Sequence, residues 1–199
     1  MSSLYQNSST SADKDARLQQ LNEWLASTGL VEVETGRPAS ADASFRRYFR
    51  YDVVPAMREK LGATLVAMDA PPERENVPAF IHVQGLLMEA GVTVPAIVAG
   101  KVESGYLLLS DLGVTTYLQR LDSDNAAFMY SSAVDALLKF QLASEPGKLP
   151  EFDRAFVLRE MNLFPKWYIN RHLGVTLDAK QQATLDLSLI HISEPTRRR

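Results

Sequence analysis

A run of small side chains followed by arginines is the part of this sequence whose residue types could do chemistry. Residues 36–44 read GRPASADAS, and Arg46 and Arg50 follow them. Small side chains let successive main-chain N–H groups approach an anion closely, so phosphate binding is one interpretation. The segment contains one glycine and matches neither GxxxxGK(S/T) nor GxGxxG. The alternatives are a polar hairpin loop beside an amphipathic strand or, from the interleaved basic and aromatic residues, a nucleic-acid surface.

The composition narrows the classes of partner. The chain has 199 residues, 46% of them hydrophobic, and a formal net charge of -3, which argues against a general nucleic-acid binder. It contains no cysteine, so disulfides and thiolate metal sites are excluded. His82, His172 and His191 show no metal-ligand spacing. No apolar run has the length of a membrane span, and residues 1–15 do not resemble a signal peptide. We therefore expect a cytoplasmic protein that binds neither nucleic acid nor membranes.

The first half of the chain is predicted to form a small sheet with two helices. Apolar residues recur with the period of a helix or alternate as in a strand, which gives each segment its type. The predicted strands span residues 30–34, 45–52, 63–69, 96–99 and 106–110, and the predicted helices span residues 13–27 and 77–90. Gly36 and Pro38 are expected to end the first strand. Asn76 is expected to cap the second helix, and Gly91 to follow its C-terminus.

After Gly113 the pattern becomes helical. One helix is expected after the acidic cluster of residues 122–124, a second from Asp153 with a kink at Pro165, and a short third over residues 178–186. A mostly β half followed by an all-helical half predicts an α+β fold, in which a small sheet lobe is joined to a helical lobe.

Five segments of the sequence resemble one family of enzymes. They are ADASFRRYFR (41–50), ATLVAMDAPPERENVPAF (63–80), AGVTVPAIVA (90–99), GYLLLSDLG (105–113) and EFDRAFVLREMNLFPKWY (151–168). These segments resemble the aminoglycoside phosphotransferase-type small-molecule kinases, which have a protein-kinase-like fold, and within that family the sugar kinases of bacterial cell-wall recycling. The resemblance implies ATP with Mg²⁺ as cofactors and a small-molecule sugar as the acceptor; the oligomeric state stays open.

The resemblance also implies roles for three groups of residues. The ATP phosphates would be covered by the loop residues Ser40, Ala41, Asp42, Ala43 and Ser44. The hinge between the lobes, where main-chain groups meet adenine, would contain Ser110, Asp111 and Leu112. The sugar would be lined by Glu160, Trp167 and Tyr168. By pattern alone, the hinge segment could equally be a turn after a buried strand, and the last group an amphipathic helix packing an aromatic core.

The sequence departs from the kinase pattern in two places. The third strand reads LVAMD, with no lysine to grip the phosphates, so Arg46 or Arg50 is the hypothesised cation. No histidine is followed two residues later by aspartate, and no DFG-like segment occurs, so the chain contains no identifiable catalytic carboxylate or Mg²⁺ ligand. The acidic cluster of residues 122–124 is better explained as a helix-capping cluster.

We therefore expect an N-terminal fragment of an ATP-dependent sugar kinase that is inactive on its own. Residues 187–197 resemble the translation of a sequencing adaptor and are expected to be non-native. The alternatives are a kinase for an aminoglycoside, choline or another small alcohol, and a non-catalytic nucleotide-binding or interaction protein. The expected organisation is a disordered segment (1–12), a helix (13–29), a nucleotide-binding lobe with the hinge (30–113), the start of a helical lobe (114–186) and a non-native tail (187–199).

Overall fold

The computed structural model of the chain describes residues 11–41 and 44–193. The described residues fall into two compact units, one within Met1–Ala143 and the other within Ser144–Arg199. The first unit holds a five-stranded sheet with helices, and the second is helical, so the predicted α+β class is confirmed. The predicted disorder of residues 1–10 lies outside the described residues, whereas residues 11 and 12 already belong to a helix.

The first unit is built around an antiparallel sheet with the strand order β1-β2-β3-β5-β4. In chain order its elements are α1 (Ser11–Thr28), β1 (Val31–Ala41), β2 (Arg47–Val53), a 3₁₀ turn (Pro55–Met57), α2 (Arg58–Leu61), β3 (Thr64–Asp69), α3 (Val77–Glu89), β4 (Ile97–Lys101), a second 3₁₀ turn (Val102–Ser104), β5 (Tyr106–Ser110), α4 (Tyr117–Arg120) and α5 (Ala126–Leu142). The short helices α2 and α4 were not predicted, because segments of this length carry too little periodicity to be recognised.

β1 is longer than predicted, because glycine and proline do not end it. Its pairing with β2 shifts register twice. At the first shift the hydroxyl of Thr35 accepts a hydrogen bond from the main-chain N–H of Asp52 at 2.9 Å. The ring of Tyr51 lies against Gly36, where an added Cβ would come within 2.6 Å of a ring carbon, so only glycine fits without movement. Pro38 is tolerated because β1 is an edge strand. The prediction that Gly36 and Pro38 end the strand is therefore wrong.

The two faces of the sheet have separate cores, because side chains alternate along each strand. Against the first face, Leu21 and Leu25 of α1 join a buried cluster of strand residues that includes Tyr51, Leu65 and Leu108. Against the second face, α3 contributes to a cluster of Met68, Ala70, Val77, Leu107 and Leu109. The alternation predicted for β2 is confirmed, since Phe49 and Tyr51 contact the first cluster and Tyr48 contacts the second.

The ends of α3 follow the sequence prediction. The side chain of Asn76 accepts a hydrogen bond from the main-chain N–H of Ala79 at 2.9 Å, as an N-cap does. Gly91 follows the helix with a φ of 74°, in the left-handed region that glycine adopts without strain. Between these ends, α3 packs against the second face of the sheet through Val77, Phe80 and Ile81.

The second unit consists of α6 (Arg154–Met161), a π-helix (Phe164–His172) and α7 (Ala179–Ser193). At Pro165 the structure shows a change of helix type, whereas the predicted kink itself stays a prediction. Because proline has no N–H to donate to the carbonyl four residues earlier, the α-helical ladder is interrupted there, and the wider helix begins at Phe164. α7 continues beyond Asp186 through residues 187–193. The non-native origin of residues 187–199 stays a prediction.

Candidate functional site

β2 sends two arginines to opposite faces of the sheet. Arg47 points to the first face and binds Asp69 at the end of β3. Arg50 points to the second face and binds Asp111, which follows β5. The odd separation of the two arginines in a strand of period two places them on different faces. Of these two arginines, Arg50 is therefore the one that reaches the segment for which the family resemblance implies a hinge role.

Asp111 is held by three residues at once. Its carboxylate accepts two hydrogen bonds from the guanidinium of Arg50, at 2.5 Å from Nε and 3.0 Å from Nη2. It also accepts from the hydroxyl of Thr64 at 2.6 Å and from the main-chain N–H of Gly113 at 2.9 Å. Nη2 of Arg50 donates in addition to the carbonyl of Gly113 at 3.0 Å. The side chains of Arg50 and Asp111 are only 12% and 8% exposed, so solvent screens this pair little.

The electrostatics of Asp111 follow from these partners. The hydrogen bonds from Arg50 lower the pKa of Asp111 to about 2, against the opposing effect of burial, and Thr64 and the Gly113 N–H act in the same direction as Arg50. The hydrogen bond to Asp111 raises the pKa of Arg50 in turn. The Asp111 carboxylate is therefore ionised at physiological pH, opposite the charged guanidinium of Arg50.

The main chain just after β5 has hydrogen-bonding groups at Leu112, between Asp111 and Gly113, that find no partner among the described residues. The last strand residue, Ser110, donates its N–H to the carbonyl of Ala96 at 2.8 Å, and its hydroxyl accepts from the N–H of Ala96. Within the described part of the chain, neither the N–H nor the C=O of Leu112 makes a hydrogen bond. The Leu112 side chain is 61% exposed. The N–H and C=O of Leu112 are thus available to a ligand, and the neighbouring residues Asp111 and Gly113 are held in place by their contacts.

The predicted phosphate loop is shorter than residues 36–44. Ser40 and Ala41 lie in β1, opposite Tyr48 and Arg47, and Asp42 and Ala43 lie outside the described residues. At the far end of the loop, the hydroxyl of Ser44 accepts hydrogen bonds from the N–H and Nε of Arg46 at 3.2 and 3.1 Å.

Glu75, which precedes α3, ties this end of the loop to the second face of the sheet. Its carboxylate accepts from the main-chain N–H of Phe45 at 2.9 Å and lies 3.5 Å from Nε of Arg46. Arg74 places its guanidinium 4.6 Å from the centre of the Phe45 ring. Glu75 carries no local sequence signal, because its partners lie about thirty residues earlier in the chain.

The predicted sugar-binding residues lie in the second unit. Glu160 is exposed near the end of α6, 3.3 Å from Nε of Arg159. In the π-helix, the half-buried ring of Trp167 lies 5.0 Å from the guanidinium carbon of Arg171. The ring of Tyr168 stacks between those of Phe164 and His172, with both centroid distances 5.4 Å. Their role in sugar binding stays a prediction.

Two other site types find no support among the described residues. In residues 11–41 and 44–193, no group of three or more histidine, aspartate or glutamate side chains could hold a metal ion. The carboxylate of Asp122 accepts hydrogen bonds from the main-chain N–H groups of Asp124 and Asn125, each at 2.9 Å, as in a turn before a helix. Across the same residues, no helix has both the length and the apolar character required to cross a membrane.

Comparison with known proteins identifies the family to which the chain belongs. Residues 35–196 match the phosphotransferase enzyme family. The chain is 48% identical over 179 residues to an N-acetylmuramate/N-acetylglucosamine kinase of Pseudomonas aeruginosa, covering 85% of this chain and 51% of that protein. Proteins of the same name in Pseudomonas putida and Neisseria meningitidis serogroup B are 43% and 38% identical, over 86% and 76% of this chain and 52% and 45% of their own. The chain thus spans about half the length of the curated relatives it matches. With its five-stranded antiparallel sheet and following helices, the chain belongs to the phosphotransferase enzyme family.

Proposed function

We propose that this chain is the nucleotide-binding part of an ATP-dependent sugar kinase that phosphorylates N-acetylmuramate and N-acetylglucosamine at the anomeric hydroxyl. The observation that carries the proposal is the 48% identity to a kinase of that name across 85% of the chain. The proposed activity is that of a whole enzyme as long as these relatives, and this chain corresponds to about half of that length.

Adenine would be bound by the main chain of Leu112. A purine edge offers a ring-nitrogen acceptor beside a donor, and the free N–H and C=O of Leu112 offer the complementary pair. Ser110 and Asp111 flank this position, Ser110 by ending the β5 ladder and Asp111 by fixing the following turn. These residues fit a nucleotide base, and bound ATP would supply the phosphoryl group.

The phosphates would lie toward the connection between β1 and β2, which follows Ser40 and Ala41 in the chain. Arg46 is the cation we assign to them, because it is held at the end of that connection by Ser44 and Glu75. Arg50 is the weaker candidate, since binding a phosphate would take it away from a carboxylate that is 8% exposed. The sugar would meet Glu160, Trp167 and Tyr168, whose carboxylate and aromatic rings suit hydroxyl groups and a sugar face.

The described residues do not fit Mg²⁺, because they offer no cluster of carboxylates, and the sequence has no HxD segment to orient the attacking hydroxyl. We therefore expect the 199-residue chain to bind ATP but not to transfer its phosphate. The residues present do the work of binding and orientation, and no chemical step is assigned to them.

A substrate panel tests the proposal. The complete gene product would be incubated with ATP, Mg²⁺ and, separately, N-acetylmuramate, N-acetylglucosamine, an aminoglycoside and choline, with ADP release and sugar phosphate measured. We expect turnover with the two amino sugars and none by the 199-residue chain. Preference for the aminoglycoside or choline would overturn the substrate assignment. ATP binding without turnover of any acceptor would favour a scaffold, and turnover by the 199-residue chain would show that the inactivity we expect is wrong.

A further inference from the structure

We propose that Arg50 is a positioning residue that holds the main chain of Leu112 in register for the nucleotide base, rather than a ligand of the phosphates. The inference rests on the proposed nucleotide site and assigns a role within it. It concerns the contacts among Arg50, Thr64, Asp111 and Gly113, which we call the hinge clasp.

The contacts of the hinge clasp link Asp111 and Gly113 to each other and to Arg50, on both sides of Leu112. Asp111 binds the N–H of Gly113 at 2.9 Å, and Arg50 binds both the Asp111 carboxylate and the carbonyl of Gly113. Gly113 has a φ of 102°, which turns the chain sharply and which other residues rarely adopt. Both ends of the segment 111–113 are therefore fixed, while Leu112 between them keeps its own donor and acceptor free within the described residues. A base-binding edge needs this combination of free groups on an immobile main chain.

The hinge clasp is also tied to the sheet from two strands. Arg50 belongs to β2, and Thr64 begins β3 and donates to Asp111 at 2.6 Å. β2 and β3 pair along their length, with Asp52 opposite Thr64, so the two donors come from a rigid ladder. The position of Leu112 is thus set by the sheet rather than by the helices that follow it in the chain.

The competing interpretation is that Arg50 leaves Asp111 to bind ATP phosphates. Its Nε and Nη2 already donate to Asp111, with the geometry of a two-point guanidinium–carboxylate pair. Moving Arg50 would deprive the Asp111 carboxylate, whose side chain is 8% exposed, of its cation and would release Gly113 as well. Arg46, next to the loop, needs no such rearrangement of the hinge.

The test separates the base from the phosphates. In the complete gene product, calorimetric titration would measure the affinities of adenosine and of inorganic tripolyphosphate for the parent and for the Arg50→Lys, Asp111→Asn and Thr64→Val variants. Arg50→Lys keeps the charge but loses the two-point geometry, and Thr64→Val removes one donor at nearly constant volume. Arg58→Gln is the matched control, since the polar contacts of Arg58 are with Glu32 at 3.6 Å and with the carbonyl of Val53 at 2.8 Å, neither of which belongs to the clasp.

We expect adenosine affinity to fall about tenfold or more in Asp111→Asn and Arg50→Lys and less in Thr64→Val, with tripolyphosphate affinity changing by less than about twofold. Arg58→Gln should change neither. A parallel loss of both affinities in Arg50→Lys would overturn the positioning role in favour of phosphate contact, and so would a lowered melting temperature with unchanged adenosine binding. If the parent bound neither ligand, the nucleotide site itself would be wrong. If Asp111→Asn does not fold, the adenosine affinity of Thr64→Val still tests the role of the clasp.

Discussion

Arg17 in α1 donates two hydrogen bonds to one carboxylate oxygen of Asp69 at the end of β3, at 3.0 Å from Nε and 2.5 Å from Nη2. Arg47 of β2 donates two more to the other oxygen. Asp69 has no exposed surface. Nη2 of Arg17 also reaches the carbonyl of Ser104 at 3.0 Å. One buried carboxylate therefore joins the first helix, two strands and the turn before β5.

The Asp69 cluster yields a prediction about stability. Replacing Asp69 with Ala would leave two partly buried guanidinium groups without their shared partner, and we expect the free energy of unfolding to fall by about 3–5 kcal/mol. Urea denaturation followed by circular dichroism would measure it. Arg37→Ala is the control, because the Arg37–Asp52 pair is exposed and its loss should cost under about 1 kcal/mol. Equal costs for the two variants would show that the cluster does not anchor the sheet.

A second prediction concerns the stability of the fold at acidic pH. The pKa of Asp111 is lowered from 3.8 to about 2 in the folded chain, so its ionised form stabilises the fold above pH 3.8, and this stabilisation is lost as the pH falls toward 2. The contribution amounts to about 2 kcal/mol. We expect the stability difference between the parent and Asp111→Asn to be constant from pH 5 to 7 and to shrink below pH 4. Because other carboxylates titrate in the same range, only this difference, measured by urea denaturation at each pH, is informative.

A third prediction concerns the stability of the fold at alkaline pH. Burial raises the pKa of Tyr51 to about 12, and its hydroxyl donates to the side chain of Asn22 at 2.7 Å. The unfolded chain ionises near pH 10 while the folded chain does not, so folding stability should decline as the pH rises from about 10 to about 12. Tyr51→Phe should remove that part of the decline while costing about 1 kcal/mol at neutral pH. Spectrophotometric titration at 295 nm would follow the ionisation, and a normal pKa for Tyr51 would contradict the prediction.

The contact between Gly36 and Tyr51 makes a fourth prediction. Gly36→Ala would bring a Cβ within 2.6 Å of the Tyr51 ring, and we expect a loss of about 1–3 kcal/mol. Combining it with Tyr51→Leu should cost less than the sum of the single changes, because the clash is removed. Gly85→Ala is the matched control: Gly85 lies in α3 with nothing within 4 Å of an added Cβ, so this change should stabilise by up to about 1 kcal/mol. Thermal denaturation would rank the variants.

A fifth prediction separates the two arginines proposed for the phosphates. If Arg46 contacts them, Arg46→Ala should weaken tripolyphosphate binding about tenfold or more while leaving adenosine binding nearly unchanged. This is the opposite of the pattern expected for Arg50→Lys. Calorimetric titration of both ligands would measure it, and an Arg46→Ala variant with the parent's tripolyphosphate affinity would exclude Arg46 from that role.

The elements that the sequence predicted well are those whose signals are local. Asn76, Gly91 and the alternation along β2 depend on neighbours in the chain, and the structure agrees with each. β1 was misjudged because glycine and proline usually interrupt strands, whereas here the Thr35 hydroxyl supports a register shift and the edge position admits Pro38. Local residue order carries no signal for such compensation.

The candidate site shows the same limit. The face on which Arg50 lies followed from strand alternation, but its partner Asp111 is 61 residues away, and the pairing depends on β2, β3 and β5 lying side by side. The arginine and the segment SDLG are each visible in the sequence, but only the strand order of the sheet brings them together. Thr64 and Glu75 were missed for that reason, since each acts through a partner distant in sequence.

Because the side chains of β2 alternate between the two faces of the sheet, this strand should tolerate changes in its length poorly. Deleting one residue between Arg47 and Arg50 would put both arginines on the same side, and sliding the strand by one position would place an aromatic residue opposite Asp111. Either event would break the Arg47–Asp69 contact that anchors the first helix, or the contacts of Arg50 with Asp111 and Gly113, although the strand could still pair. Insertions among natural variants should therefore collect in the loop before β2 and avoid the strand itself.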